Sequence, residues 1–228
     1  MSAKERPIAF SGPMIRAILR GEKTCTRRLV KLPRWADAGS EIEEESDGSL
    51  VTVARSTGCL AQIPCPYGVL GDLLWVRETY LPHEFDDGAD IATYRADCHD
   101  GPVPEAVRSE REGSTRWHCP RYMPRITSRI TLRVNLVEVQ RLHDITNADA
   151  RAEGAAAWWD ELSYQAARKA GNAWDSISIS RGWEKTPPDY RGAFGALWCQ
   201  INGRASWDEN PLVWVVRFDR VKPASHLE

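Results

Sequence analysis

The spacing of apolar and polar residues predicts a helix followed directly by a strand near the start of the chain. From Ser11 to Gly21 apolar residues recur at helical spacing, a serine precedes the first turn and a glycine follows the last, which is typical of a short amphipathic helix. The next residues, TCTRRLV at 24–30, are rich in β-branched side chains and predict a strand. The segment GEKTCTRR, residues 21–28, therefore lies at a helix-to-strand junction.

Three later segments predict buried strands. They are LLWVRETY at 73–80, the alternating run at 126–142 and PLVWVVRFDRV at 211–221. Within the second segment the alternation changes phase at Leu136 and Val137, which predicts either a bulge or a strand covered on both faces.

Two further helices are predicted by their capping signals and periodicity. One begins at Thr146, with Asp149 in the position where a capping box usually carries Glu or Gln. The other ends at Gly203 and directs a face of five apolar residues to the core, namely Tyr190, Phe194, Leu197, Trp198 and Ile201. Because the order of elements has no βαβ rhythm and no glycine-rich phosphate loop, we expect an α+β fold on a small mixed or barrel-like sheet.

We expect a single domain over residues 1–228. Three charged or glycine- and proline-bearing stretches, at 36–58, 82–116 and 160–188, predict insertions into it. A short strand is predicted within the second insertion, at 92–96.

Composition indicates an ordinary globular protein. The net charge of −2 gives no overall attraction to nucleic acid, and no run approaches the roughly 20 apolar residues of a membrane helix. The charged N-terminus lacks a signal-peptide core, so we expect a cytoplasmic protein whose six cysteines are free thiols. No pair of cysteines and histidines has the spacing of a zinc knuckle, and we expect neither a metal nor a cofactor.

Lys23 and Thr26 are the first candidates for chemistry. A lysine beside a hydroxyl activates a weak nucleophile when burial lowers the pKa of the amine. Alternation along a strand directs Thr24, Thr26 and Arg28 to one face, but Lys23 lies in the turn and is free to approach Thr26. The alternative from the residues alone is a solvated lysine beside threonines that favour a strand.

The GEKTCTRR segment resembles the G-x-K-T-x-T-x-R signature of the ASCH domain family, which has a PUA-like β-barrel. Further blocks, including CPYGVLGDLLWVRETY and ALWCQINGRASWDENPLVWVVRFDRV, look like a long, phage- and prophage-associated branch of that family, and the resemblance covers about half of the chain. Small members hydrolyse the amide of N4-acetylcytidine. The resemblance implies catalytic roles for Lys23, Thr26 and Glu153.

Other residues are candidates for substrate binding. Arg27, Arg28 or a backbone amide at the junction would stabilise an oxyanion. Glu78 is a second acid that would assist or replace Glu153, unless it forms a salt bridge with Arg77 or Arg129. The remaining candidates are Thr24 and two aromatic residues for base stacking, Trp117 and Tyr122.

Three functions remain open on this basis. The first is an amidohydrolase that removes an acyl group from N4 of a modified cytidine. The second is a module that binds RNA, DNA or a modified base without changing it. The third, which the resemblance also allows, is a ribonuclease. The expected partner is thus a modified pyrimidine nucleoside or a nucleic acid, with no membrane involved.

Overall fold

The computed structural model describes residues 3–32, 41–44, 50–53, 60–82, 92–99, 101–105, 116–160 and 189–221. The strands are β1 Glu5–Ala9, β2 Cys25–Leu29, β3 Glu41–Glu44, β4 Leu50–Val53, β5 Leu60–Ile63, β6 Leu73–Arg77, β7 Tyr80–Pro82, β8 Ala92–Tyr94, β9 Thr131–Arg141 and β10 Leu212–Val221. The α-helices are α1 Gly12–Leu19, α2 Asn147–Ala152, α3 Tyr190–Asn202 and α4 Arg204–Asp208, and residues 155–160 are also helical.

The main sheet has five strands in the order β1-β6-β9-β10-β2. β1 and β6 are parallel, and the other neighbours are antiparallel. β1 and β2 follow each other in the chain, yet they form opposite edges of the sheet with α1 between them in sequence. The α+β class is confirmed, whereas the described strands form an open sheet and no closed barrel.

The long antiparallel pair at the centre of the sheet contains a bulge. Arg217 of β10 pairs with Leu136 and Phe218 pairs with Val134, so Asn135 is the extra residue on β9. Of the two alternatives that the change of phase left open, the structure shows the bulge, one residue before Leu136. The strand itself is shorter than predicted because Arg125–Thr127 forms a 3-10 turn.

Side chains of β10 are buried on both faces of the sheet. Trp214, Val216 and Phe218 belong to a core cluster with α1. Val213 and Val215 alternate with them and pack in a second cluster with residues of α2 and α3. A strand covered on both faces explains the nearly continuous apolar run in its sequence.

The predicted insertions are only partly described. β3, β4 and β5 form a separate three-stranded antiparallel sheet, to which 36–58 contributes two strands. In 82–116, β8 pairs with β7 near the predicted short strand. All of 160–188 except residue 160 lies outside the described residues.

The structure also bears on cysteines, metals and membranes. Five cysteines are free thiols, as expected, and Cys59 lies outside the described residues. Within the described ranges no group of three or more metal-ligating side chains occurs, and no helix there is long and apolar enough to cross a membrane.

Candidate active site

Lys23 is positioned by the turn that ends α1. Gly21 adopts a φ of +77°, and the N–H groups of Gly21 and Glu22 donate to the carbonyls of Ile18 and Ala17. This pair of hydrogen bonds is a Schellman motif, which the left-handed conformation of glycine makes possible. The Lys23 N–H also donates to the Ala17 carbonyl, so the lysine leaves the helix in a fixed direction.

Glu153 is positioned by the other end of a short helix. α2 begins with a complete capping box, in which the Thr146 hydroxyl accepts from the Asp149 N–H and the Asp149 carboxylate accepts from the Thr146 N–H. Glu153 is the C-cap residue of this helix. The Ala152 carbonyl accepts a hydrogen bond of 2.8 Å from the Thr24 N–H, which joins the end of α2 to the start of β2.

Gly154 allows the two segments to approach each other. Its φ is +74°, and a Cβ atom at this position would lie 3.2 Å from the Cβ atoms of both Ala17 and Lys23. Such contacts are tighter than ordinary side-chain packing. A side chain at residue 154 would therefore displace Lys23.

The Lys23 ammonium has three acceptors around it. Its Nζ lies 2.6 Å from the Cys25 carbonyl oxygen, 2.7 Å from the Glu153 carbonyl oxygen and 3.0 Å from Glu153 Oε2. Three acceptors match the three N–H donors of a protonated lysine. Burial lowers the pKa of Lys23 from its ordinary value, and Glu153 opposes this by stabilising the charged form.

Arg27 holds the other oxygen of the same carboxylate. Its Nη1 lies 3.3 Å from Glu153 Oε1, and its Nη2 lies 3.4 Å from Asp149 Oδ2 and 3.2 Å from Gln140 Oε1. Asp149 is also paired with Arg217. Asp149 thus caps the start of α2 and, through Arg27, is connected to Glu153 at its end.

These residues lie beside a cavity of about 140 Å³. Lys23, Thr26, Arg27, Arg28 and Glu153 all contribute to its lining. The apolar part of the wall comes from the end of β1 and the start of α1, from Leu29 of β2 and from α3: Ala9, Phe10, Met14, Leu29, Phe194, Leu197, Trp198 and Ile201. Pockets for drug-sized ligands have volumes of about 300–1,000 Å³, so this smaller cavity fits a group the size of a single ring.

Phe10 contacts two of the cations. Lys23 Nζ lies 5.4 Å from the centroid of its ring, and the guanidinium carbon of Arg28 lies 5.3 Å from it. Arg28 Nη2 also donates to the Ala9 carbonyl at 2.7 Å. The ring and the carbonyl fix the Arg28 guanidinium at the cavity, since both interactions favour a cation.

Thr26 is the hydroxyl among the cavity residues that lies nearest in sequence to Lys23, and it is buried. The neighbouring Cys25 is unsuited to the role of nucleophile, because burial raises the pKa of its thiol to about 12. The remaining candidate nucleophile on β2 is therefore the Thr26 hydroxyl. Lys23, Thr26 and Glu153 all line this cavity, and Lys23 forms a salt bridge with Glu153.

The remaining predicted site residues lie outside the cavity lining. Thr24 is exposed. Glu78 accepts two hydrogen bonds from Arg129, at 2.9 and 3.0 Å, which is the salt bridge that the sequence left open. Trp117 Nε1 donates to the Gly101 carbonyl, and the Tyr122 side chain is largely exposed.

Sequence reasoning missed several residues of the site. Phe10 and Trp198 line the cavity, although their apolar surroundings in the sequence indicate core positions. Asp149 was predicted only as a helix cap. Gly154 follows Glu153, the C-cap residue of α2, which is the usual place for a glycine after a helix, and this signal would have placed the end of the helix.

Comparisons of the chain with protein-family models, with curated proteins and with solved structures found no match. The choice of a function therefore depends on the residues of the cavity and on the signature around Lys23.

Proposed function

We propose that this protein is an amidohydrolase that removes the acyl group from N4 of an acylated cytosine. The observation that carries the proposal is the buried convergence of Lys23, Thr26 and Glu153 beside a cavity sized for one ring. The resemblance of residues 21–28 to the ASCH signature supports the same reaction class. We also propose that the open five-stranded sheet is related to the PUA-like fold. This part of the proposal rests on the same resemblance of residues 21–28.

The reaction begins with a neutral Lys23. Lys23 is protonated while Nζ faces its three acceptors, so it first releases one proton to solvent, and its burial makes this release easier. The neutral amine then accepts the proton of the Thr26 hydroxyl as Oγ1 forms a bond to the acyl carbon. The Glu153 carboxylate stabilises the ammonium that results.

The intermediate collapses when the bond between the acyl carbon and N4 breaks. The Lys23 ammonium returns its proton to N4, cytidine leaves as the amine, and the acyl group remains on Thr26. Water then attacks this ester, with Lys23 again accepting a proton, and releases the carboxylic acid and the free hydroxyl. The overall reaction consumes one water and needs no cofactor.

The two arginines have different roles in this proposal. Arg27 has both terminal nitrogens engaged with protein acceptors, so it positions Glu153. Arg28 lines the cavity and has no carboxylate partner among the described residues, so it is available to an anionic group that the substrate carries outside the reacting amide.

Hydrolysis is tested by incubating the purified protein with N4-acetylcytidine and measuring cytidine by chromatography. We expect turnover in the wild type and its loss in Lys23→Ala and in Thr26→Val, while the exposed control Glu22→Gln retains it. Turnover that both substitutions leave unchanged would remove the proposal. Binding without turnover would favour a base-binding module, and release of oligonucleotides from RNA would favour a ribonuclease.

A further inference from the structure

The cavity has an excess of positive charge on one side. Three cations, Lys23, Arg27 and Arg28, contribute to its lining, with Glu153 as the carboxylate. Lys23 is paired with Glu153, and Arg27 is paired with Glu153 and Asp149. Arg28 has no carboxylate partner among the described residues, so a positive charge at the cavity remains without a counterion.

Arg28 also has unused hydrogen-bond donors. One Nη2 N–H donates to the Ala9 carbonyl and Nε is buried, while Nη1 forms no hydrogen bond within the described part of the chain. A guanidinium carries five N–H donors in a planar fork that matches the oxygens of a phosphate or carboxylate. The contacts with Ala9 and Phe10 hold this fork in place before any ligand arrives, which favours binding.

The positive charge of Arg28 lies nearer to the solvent than the most buried residues of the cavity. Lys23, Thr26 and Glu153 are almost completely buried, while Arg28 is half-buried and Leu29 and Ile201, which also line the cavity, are exposed. A single ring fills a cavity of about 140 Å³. A charged substituent of the same ligand therefore has to lie towards the open side, where Arg28 is.

We infer that the ligand of this cavity is a pyrimidine nucleotide, whose phosphate contacts Arg28 while its base enters the cavity. The inference rests on the proposed function for the choice of a pyrimidine. It adds that the preferred substrate carries a phosphate and is not a neutral nucleoside. The phosphate belongs either to a free nucleotide or to a nucleic-acid strand, because both present the same anionic oxygens.

Calorimetric titration measures this preference without requiring turnover. The wild-type protein is titrated with cytidine, with cytidine 5′-monophosphate and with a short single strand that has cytosine at its centre. We expect the monophosphate to bind about tenfold or more tightly than cytidine, as for a hydrogen bond to a charged group. This advantage shrinks as the salt concentration rises, since Arg28 is only half-buried.

Substitutions at Arg28 locate the contact. Arg28→Gln is expected to reduce the affinity for the monophosphate to that for cytidine and to leave cytidine binding unchanged. Arg28→Lys keeps the positive charge but not the planar fork, so it should retain part of the preference for the monophosphate over cytidine. This variant also provides the test if Arg28→Gln does not fold. The control Arg141→Gln removes an exposed arginine outside the cavity lining and keeps the full advantage.

The outcomes separate this inference from the proposed reaction. Equal affinities for cytidine and its monophosphate, no binding of the monophosphate, or an equal effect of Arg28→Gln on both ligands would overturn the inference. Tighter binding of the single strand than of the monophosphate assigns the phosphate to a polymer, and the reverse assigns it to a free nucleotide. A phosphate preference without hydrolysis of N4-acetylcytidine contradicts the reaction alone, and hydrolysis without the preference contradicts the inference alone.

Discussion

Replacing Glu153 by leucine is expected to destabilise the protein far more than a typical surface substitution. The carboxylate is buried and contacts Lys23 and Arg27, whose side chains are 2% and 0% exposed. Removing it leaves both cations in the interior without this partner. Breaking a buried ion pair in this way costs about 3–5 kcal/mol of the free energy of unfolding.

Urea unfolding, monitored through tryptophan fluorescence, measures this loss of the free energy of unfolding. In a thermal unfolding experiment on a chain of this length, the same loss lowers the melting temperature by roughly 6–20 °C. The matched control is Glu22→Leu, because Glu22 pairs with Arg20 at the surface, where each side chain is 49% exposed. An exposed pair contributes only about 0–1 kcal/mol.

The loss of stability should also depend on pH. In the wild type Glu153 raises the pKa of Lys23 against the larger effect of burial, so removing Glu153 lowers this pKa further below 10.5. Between the lowered folded-state pKa and the ordinary value, the unfolded chain binds more protons than the folded chain. The free energy of unfolding therefore rises with pH in this window, and the rise begins at a lower pH in the variant than in the wild type. The deficit of the variant should thus shrink as the pH rises from the folded-state pKa of Lys23 in the variant to that in the wild type.

A double substitution separates the ion pair from the loss of packing. In Lys23→Met combined with Glu153→Leu, one of the stranded charges is gone, so the total cost should be smaller than the sum of the two single costs by about 1 kcal/mol or more. The reasoning is refuted if Glu153→Leu is no more destabilising than Glu22→Leu, or if the two single effects simply add.

Three further substitutions test separate parts of the structure. Gly154→Ala should destabilise by about 1–2 kcal/mol because of its positive φ, and its new Cβ should displace Lys23, so we expect both a lower midpoint of unfolding and slower N4-acetylcytidine hydrolysis. Asp149→Asn weakens a capping box worth about 0.5–2 kcal/mol and also weakens the salt bridge with Arg27. The free energy of unfolding and kcat should therefore both fall. An unchanged kcat would disprove the link from Asp149 through Arg27 to Glu153. Arg129→Met strands the buried carboxylate of Glu78, for which burial raises the pKa, so stability should fall most at neutral pH and recover towards acid, while hydrolysis by the folded protein stays unchanged.

Local signals in the sequence predicted the elements that carry the site. The serine and glycine around α1, the capping box at Thr146 and the apolar run of β10 each depend on a few neighbouring residues. The bulge near Leu136 was visible as a change of phase because alternation records which face a residue occupies. Ser11 occupies the N-cap position, as predicted, but its side chain forms no capping hydrogen bond.

The order of the strands was not predictable in the same way. β1 and β2 are close in sequence and lie at opposite edges of the sheet, which depends on how the late strands β9 and β10 pair. The pattern of residues left a mixed or a barrel-like sheet open, and the resemblance added the expectation of a PUA-like barrel. The sheet edges are set by long-range pairing, for which a single sequence contains no direct signal.

The division of roles between neighbouring charged residues also required the structure. Arg27 and Arg28 are identical in type and adjacent, yet one is fully buried among acceptors and the other is half-buried beside Phe10. Glu78 and Glu153 were both candidate acids, and only the second contributes to the cavity lining. In each case the partner that decides the role lies far away in sequence.

The pH dependence of kcat for N4-acetylcytidine hydrolysis tests the central claim most directly. If Lys23 is the base, kcat rises with pH along a single ascending limb. The midpoint of this limb lies below pH 10.5, because burial lowers the pKa of Lys23. Glu153→Gln should move the limb to lower pH in whatever activity it retains. A rate that does not change with pH across this range, or no release of cytidine at any pH, would contradict the account.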